Sequence, residues 1–298
     1  DLRGFLEYDD MGLDEIYARH LTFTMLQQRA GLRPQPLDET ADKAMASGLR
    51  RLEDIDSRNW IEALQRLITN DQPLQNEEDR RFTVMLFYTF YSKNLEESGF
   101  SNLDVFLNAL RNGPYRSEII DVLAIRYDAL KNPGEPLPLG FFAPLDLHCT
   151  YTRNQILAAF GEITTDRYFT WQEGVKELKG RNTDIFTIDL KKSDHDFSPT
   201  TMYEDYAISP SLFHWQSQSG TSRASPVGQR YIHQKEHDHK ILLFVRPQKS
   251  LNGKTVPYLY LGKAEYVSCE GDNPISFVWH MESDMPLWVM EKSSAIRP

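Results

Sequence analysis

The sequence predicts an α+β protein, with an all-helical N-terminal domain over 1–140 and a β-barrel-like domain over 141–298. Three observations predict it. The apolar period changes from 3.6 residues to 2 near residue 140, a Pro/Gly-rich connector spans 132–140, and six or seven short strand-like runs crowd the second half.

The helical half is read from its spacing. Trp60, Ile61, Leu64, Leu67 and Ile68 fall on one face of a helix, with Asp56 or Ser57 placed to cap it. Ser101 can cap a second helix whose inward face is Leu103, Phe106, Leu107 and Leu110, and Asn112-Gly113-Pro114 stops it. A third runs through Ile119, Ile120, Leu123 and Tyr127 and ends at Asn132-Pro133-Gly134. Segments near 13–30, 41–53 and 77–92 pattern similarly. Phe87, Tyr88, Phe90 and Tyr91 cluster on one helix, where burial is the ordinary fate of such rings.

Past the connector the residues alternate. Leu145–Tyr151 reads as a strand, and Thr152 caps a short helix over Asn154–Phe160. Strand-like runs follow at Tyr168–Lys176, Asp184–Leu190, Leu212–Gln216, Lys240–Arg246, Tyr258–Val267 and Ile275–Met281, with Asn252-Gly253 as a hairpin turn. Many short strands with small helices point to a strongly bent sheet or barrel.

Composition narrows the function. At 298 residues, 40% hydrophobic and 26% charged, the chain is globular, and no apolar run approaches the ~20 residues of a membrane helix. Two cysteines, Cys149 and Cys269, exclude a disulfide framework or a Cys-rich zinc module. The chain opens on Asp1 without a signal-peptide pattern, which reads as a piece of a longer cytoplasmic protein. The net charge of −10 is uneven: residues 1–140 carry 24 acidic and 16 basic residues, residues 141–298 carry 19 and 17. Within 211–250 the balance is positive, through Arg223, Arg230, Lys235, Lys240, Arg246 and Lys249 against Glu236 and Asp238. That permits nucleic-acid contact and equally fits a solvated mixed surface.

Catalytic motifs fail on inspection. Gly253-Lys254-Thr255 ends like a phosphate-binding loop, but Gln248 stands where its first glycine belongs. His233-Gln234-Lys235 begins like the phospholipase-D motif, but Lys240 occupies the required Asp position. His233, His237 and His239 alternate with charged residues and read as solvated rather than metal-binding. No nucleophile elbow or Ser-His-Asp order is present.

One dense polar-aromatic segment remains, from Asp194 to Tyr231. Alternation places Phe213 and Trp215 on one face of a strand and His214 and Gln216 on the other. The plain reading makes Phe213 and Trp215 core and the rest a polar loop. The functional reading uses aromatic faces, each worth ~1–3 kcal/mol in stacking a base, beside an Asp or Gln that reads a base edge.

The C-terminal half resembles the domain of unknown function that ends bacterial fusions of a phospholipase-D-type nuclease with a superfamily 2 helicase. The resemblance runs in order over about 145–281. It begins at Tyr151-Thr152-Arg153, Gln155-Ile156-Leu157 and Gly174-Val175, and continues through Lys192-Ser193 and Asp196-Phe197-Ser198-Pro199-Thr200. Next come Tyr203, Asp205-Tyr206-Ala207-Ile208-Ser209 and Leu212-Phe213-His214-Trp215-Gln216-Ser217-Gln218. Gly228-Gln229-Arg230-Tyr231-Ile232, Leu243-Phe244-Val245-Arg246, Leu261-Gly262 and Glu265-Tyr266-Val267-Ser268 complete it. The helical half is similar, with weaker motifs, to the region that joins helicase to module.

What the resemblance implies is sharper. Some such fusions are modification-dependent (type IV) restriction enzymes of the SauUSI kind, acting in phage defence on DNA with 5-methylcytosine or 5-hydroxymethylcytosine. Their last module is similar to the SET-and-RING-associated, PUA-like fold, which flips the modified base into an aromatic pocket. Carried onto this sequence, the pocket candidates are Tyr203, Asp205, Tyr206, Phe213, Trp215 and Gln216, with Asp205 as acceptor for the cytosine amine. His214, Ser219, Thr221, Ser222 and Arg223, with Lys191 and Lys192, are candidates for the DNA backbone. The expected partners are double-stranded DNA with modified cytosine and the helicase and nuclease domains of the same polypeptide, with no membrane. No cofactor, metal or catalytic residue is expected within these residues; ATP and a divalent metal belong to the motor and nuclease parts. The alternative is a protein-interaction module that couples helicase motor to nuclease without base readout.

Overall fold

The computed structural model describes residues 1–33, 39–131, 134–190 and 205–294. The chain forms two compact units, Asp1–Trp171 and Gln172–Pro298. Helices fill the first and a mixed sheet the second, an α+β arrangement.

The first unit contains α1 (Leu2–Asp9), α2 (Leu13–Tyr17), α3 (Phe23–Arg29), α4 (Glu39–Leu52), α5 (Arg58–Thr69), α6 (Glu77–Phe90), α7 (Leu103–Asn112) and α8 (Arg116–Asp128). After them come β1 (Glu135–Pro136), β2 (Asp146–Leu147), β3 (Thr150–Tyr151) and α9 (Arg153–Ala159). The caps explain where helices start. Ser57 accepts the Trp60 N–H at the head of α5, while Asn102, one residue past the expected Ser101, caps α7. Thr152 and Gln155 form a reciprocal capping box on α9. The apolar face of α5 is buried as its spacing requires, with Trp60 lying between the Phe82 and Tyr151 rings at 6.5 and 6.2 Å. Phe87, Tyr88 and Phe90 are core, as expected of the α6 cluster, and Tyr91 lies at its margin.

The units divide at Trp171/Gln172, well past the connector at 132–140. Polar bonds account for the difference. Asp146 accepts from Ser57 Oγ at 2.5 Å and from Asn59 Nδ2 at 2.9 Å. The Thr150 N–H donates to Asp56 at 2.7 Å, and Gln155 Nε2 donates to Thr89 Oγ1 at 2.9 Å. These tie 146–159 to α5 and α6, and the expected strand over Leu145–Tyr151 shrinks to two short bridges.

The second unit runs β4 (Val175–Leu178), β5 (Thr183–Asp189), β6 (Tyr206–Ser209), β7 (Leu212–Gln216), α10 (Pro226–Ile232) and β8 (Lys240–Arg246). It continues with β9 (Ser250–Leu251), β10 (Lys254–Thr255), β11 (Tyr258–Glu270), β12 (Ser276–Met281) and α11 (Leu287–Ser294). Seven strands pair in the order β4-β5-β8-β11-β12-β7-β6. Only β5 and β8 are parallel within that path. Rings from four elements fill the core: Phe186 stacks on Trp215 at 4.2 Å, and Tyr231, Phe277 and Trp279 surround them.

The sheet is open, which corrects the expectation of a barrel. No ladder joins β4 to β6 among the described residues. At the β6 end, α11 packs along the strand and Ser293 Oγ accepts the Ala207 N–H at 2.8 Å. A helix therefore satisfies an edge donor that barrel closure would have given to another strand.

Candidate nucleic-acid interface

Strand alternation divides the predicted site residues between the two faces of the sheet. Phe213 and Trp215 point into the core, fully and almost fully buried, where Trp215 meets Phe186, Tyr231 and Phe277. In this arrangement neither ring presents a face to a ligand. Tyr206, His214 and Gln216 belong to the opposite face and are all partly exposed. Tyr203, Lys191 and Lys192 lie outside the described residues.

Register builds a surface around this second set. Tyr206 is opposite His214, which is opposite Val278 on β12. Gln216 is opposite Ser276, and Leu212 opposite His280. The Tyr206 and His214 rings stack at 4.7 Å with 14° between their planes. Gln216 links to its neighbours twice: its N–H donates to Asp205 Oδ1 at 2.9 Å, and its Nε2 donates to Ser276 Oγ at 3.3 Å. Asp205 is 6% exposed, so its carboxylate is buried beneath this face, against the Gln216 backbone. Aromatic, amide and carboxylate groups are thus brought together.

The loop after β7 is anchored by hydrogen bonds and close packing. Ser217 exchanges two 2.9 Å bonds with the backbone of Ile275. Ser225 caps α10, and Ser222 abuts Gly228 so closely that a Cβ there would meet the Ser222 carbonyl at 2.1 Å. Arg223 clamps the β11–β12 turn: its side chain donates to the carbonyls of Gly271 and Cys269, both at 2.9 Å, and its N–H to Asp272. The Thr221 N–H donates to the Gln218 carbonyl and the Ser225 N–H to the Ser222 carbonyl, while Ser219 is exposed. A guanidinium predicted for phosphate is therefore engaged by backbone carbonyls.

Most of the basic residues in 211–250 are similarly engaged. Arg230 reaches Asp184 and Glu177, Lys235 pairs with Glu265 at 3.0 Å, Lys240 lies 3.6 Å from Asp238, and Arg246 grips Asp189. Within the histidine trio the His233 and His237 rings stay 6.3 Å apart, and His239 differs from both. His239 is buried, not solvated, with its ring nitrogens 2.7 Å from Asn182 Oδ1 and 2.9 Å from Asp184 Oδ2. His233 faces Glu236 on the surface. Sequence reasoning missed the Asp184–Arg230–His239 node, because its members are contributed by β5, α10 and the loop before β8. Among the described residues no helix is long and apolar enough to cross a membrane.

Comparison with known proteins places part of this chain. Residues 145–291 match the model of a domain of unknown function, DUF3427. Among solved structures, the DNA modification-dependent restriction endonuclease AspBHI is similar at 13% identity, with a TM-score of 0.29 over 53% of this chain and 85% of that chain. No curated protein matches the sequence.

Proposed function

We propose that residues 141–298 are the target-recognition part of a modification-dependent restriction enzyme, binding duplex DNA that carries 5-methylcytosine or 5-hydroxymethylcytosine. In this reading the base is extruded toward the β6–β7 face, as in the SET-and-RING-associated, PUA-like modules. The observation that carries it is the Tyr206–His214 stack beside Asp205 and Gln216. Tyr206 offers the flat face, Asp205 is the acceptor for the cytosine amine, and Gln216 is the second edge reader. Residues 1–140 serve as the coupler to helicase and nuclease parts that supply ATP hydrolysis and metal-dependent cleavage.

Energetics limit the affinity. Extruding a base costs a few kcal/mol, and one aromatic face returns ~1–3 kcal/mol. With Phe213 and Trp215 in the core, stacking offsets only part of that cost. The rest falls to hydrogen bonds and to a small number of phosphate contacts, and the binding is moderate and salt-sensitive.

The engagement of five of the six basic side chains between 211 and 250 favours a second reading. A surface with few available cations suits a protein partner, and the module would then relay motor state to the nuclease without touching bases. Binding of the full chain to matched duplexes with unmodified, 5-methylated or 5-hydroxymethylated cytosine separates the two. Preference for a modified duplex, lost in Tyr206→Ala, supports base reading. Equal affinity for all three removes it, and no binding at low salt leaves the coupling role.

A further inference from the structure

Between His239 and Ala264 the chain carries Lys240, Arg246, Lys249, Lys254 and Lys263 and no acidic residue, although the protein's net charge is −10. At its centre β9 and β10 form a ribbon of their own, apart from the main sheet. Asn252 and Gly253 turn it with φ of 50° and 71°, the paired positive angles of a tight two-residue hairpin. Its tip is exposed, and Leu251 puts 57% of its surface into water between Lys249 and Lys254.

The root is firmly held. Buried Arg246 makes a fork to Asp189 at 2.6 and 3.0 Å, lies 4.2 Å over the Tyr258 ring, and donates to the Val256 carbonyl at 3.1 Å. Val256 in turn donates its N–H to the Lys249 carbonyl. An apolar side chain is thus held with more than half of its surface in water on a basic ribbon. A two-stranded ribbon fits the major groove of B-DNA, about 12 Å wide, where apolar tips meet base methyl groups and lysines reach the phosphate walls.

We infer that the β9–β10 hairpin is a groove-contacting element for duplex DNA, with Lys249 on a phosphate and Leu251 against base edges. This rests on the duplex-DNA part of the proposed function and not on its modified-cytosine part. Lys249→Glu lowers the affinity of the full chain for an unmodified duplex and reduces the slope of log affinity against log salt by about 0.9, one phosphate contact. Lys292→Glu, an equal charge change on α11, has a smaller effect. Leu251→Ala weakens binding about fivefold with the salt slope unchanged, from lost apolar contact.

The test is fluorescence anisotropy over a salt series, run with unmodified and 5-methylated duplexes, with circular dichroism confirming that each variant folds. Should the wild type bind while Lys249→Glu behaves like Lys292→Glu and Leu251→Ala is silent, the hairpin assignment is overturned. If both duplexes bind equally but the hairpin variants weaken them, the inference stands and the reading of modified cytosine falls. A wild type that binds no duplex removes both.

Discussion

Trp215 and Tyr206 were both candidates to stack a base, and their placement on opposite faces makes the paired substitutions Trp215→Ala and Tyr206→Ala diagnostic. Trp215 is 5% exposed and stacked on Phe186 at 4.2 Å. A Trp buries on the order of 200 Å², worth about 5 kcal/mol at ~25 cal/mol per Å². Partial collapse of the cavity brings the expected loss to about 3–5 kcal/mol of stability. Tyr206 contributes a cross-strand pair with His214, worth about 0.2–1 kcal/mol. Its removal leaves stability nearly intact and costs ~1–3 kcal/mol of base stacking, roughly 5- to 150-fold in affinity for a modified duplex. Urea unfolding of the full chain, followed by near-ultraviolet circular dichroism, reads the first effect, and duplex binding reads the second. A stable, well-folded Trp215→Ala that selectively loses modified-duplex binding would refute the division of faces. An unaltered Tyr206→Ala would refute the role given to the stack.

Three further outcomes are expected. Asp184 is fully buried and receives Arg230 and His239, so Asp184→Asn costs about 3 kcal/mol of stability, measured by urea unfolding, because two cationic or donor partners lose their charge complement. In Gly48→Ala the usual helix gain of roughly 1 kcal/mol is outweighed. The new Cβ would lie 1.9 Å from the Phe90 ring, and overpacking costs about 1–3 kcal/mol, visible as a lower Tm. Burial raises the Asp56 carboxyl to about 6. An acid whose folded value is raised holds its proton longer when native, so it lowers stability as pH rises from its unfolded value of about 4 to about 6. Asp56→Asn keeps an acceptor for the Thr150 N–H and should lose that slope. The variant then gains on the order of 2 kcal/mol over the wild type at neutral pH, and parallel stability curves for the two proteins would refute the assignment.

Much of the architecture was legible before any coordinates. The 3.6-residue period located α5, α7 and α8, and Thr152 marked the start of α9. Strand-like apolar runs gave β7 and β8 with their observed bounds, and Asn252-Gly253 marked the hairpin. Alternation even separated Phe213 and Trp215 from His214 and Gln216. These signals are local, since they depend on backbone geometry within a turn of helix or a few residues of strand. Sequence reasoning passed over α1, α10 and α11, and the last two are short segments whose apolar residues pack on a sheet that only the folded chain provides.

Which side of β7 is covered, and what the cations of 211–250 hold, was decided by pairings between distant residues. Arg246 meets Asp189 because β5 and β8 run side by side, far apart in the chain, and Arg230 meets Asp184 from α10. The sheet stays open because Ser293 on α11 takes an edge N–H of β6. Periodicity states that a strand has two faces and a charge has a sign. Only the chain's return on itself, where each buried donor and cation must find an acceptor, decides which face meets water and which charge is left to meet a ligand.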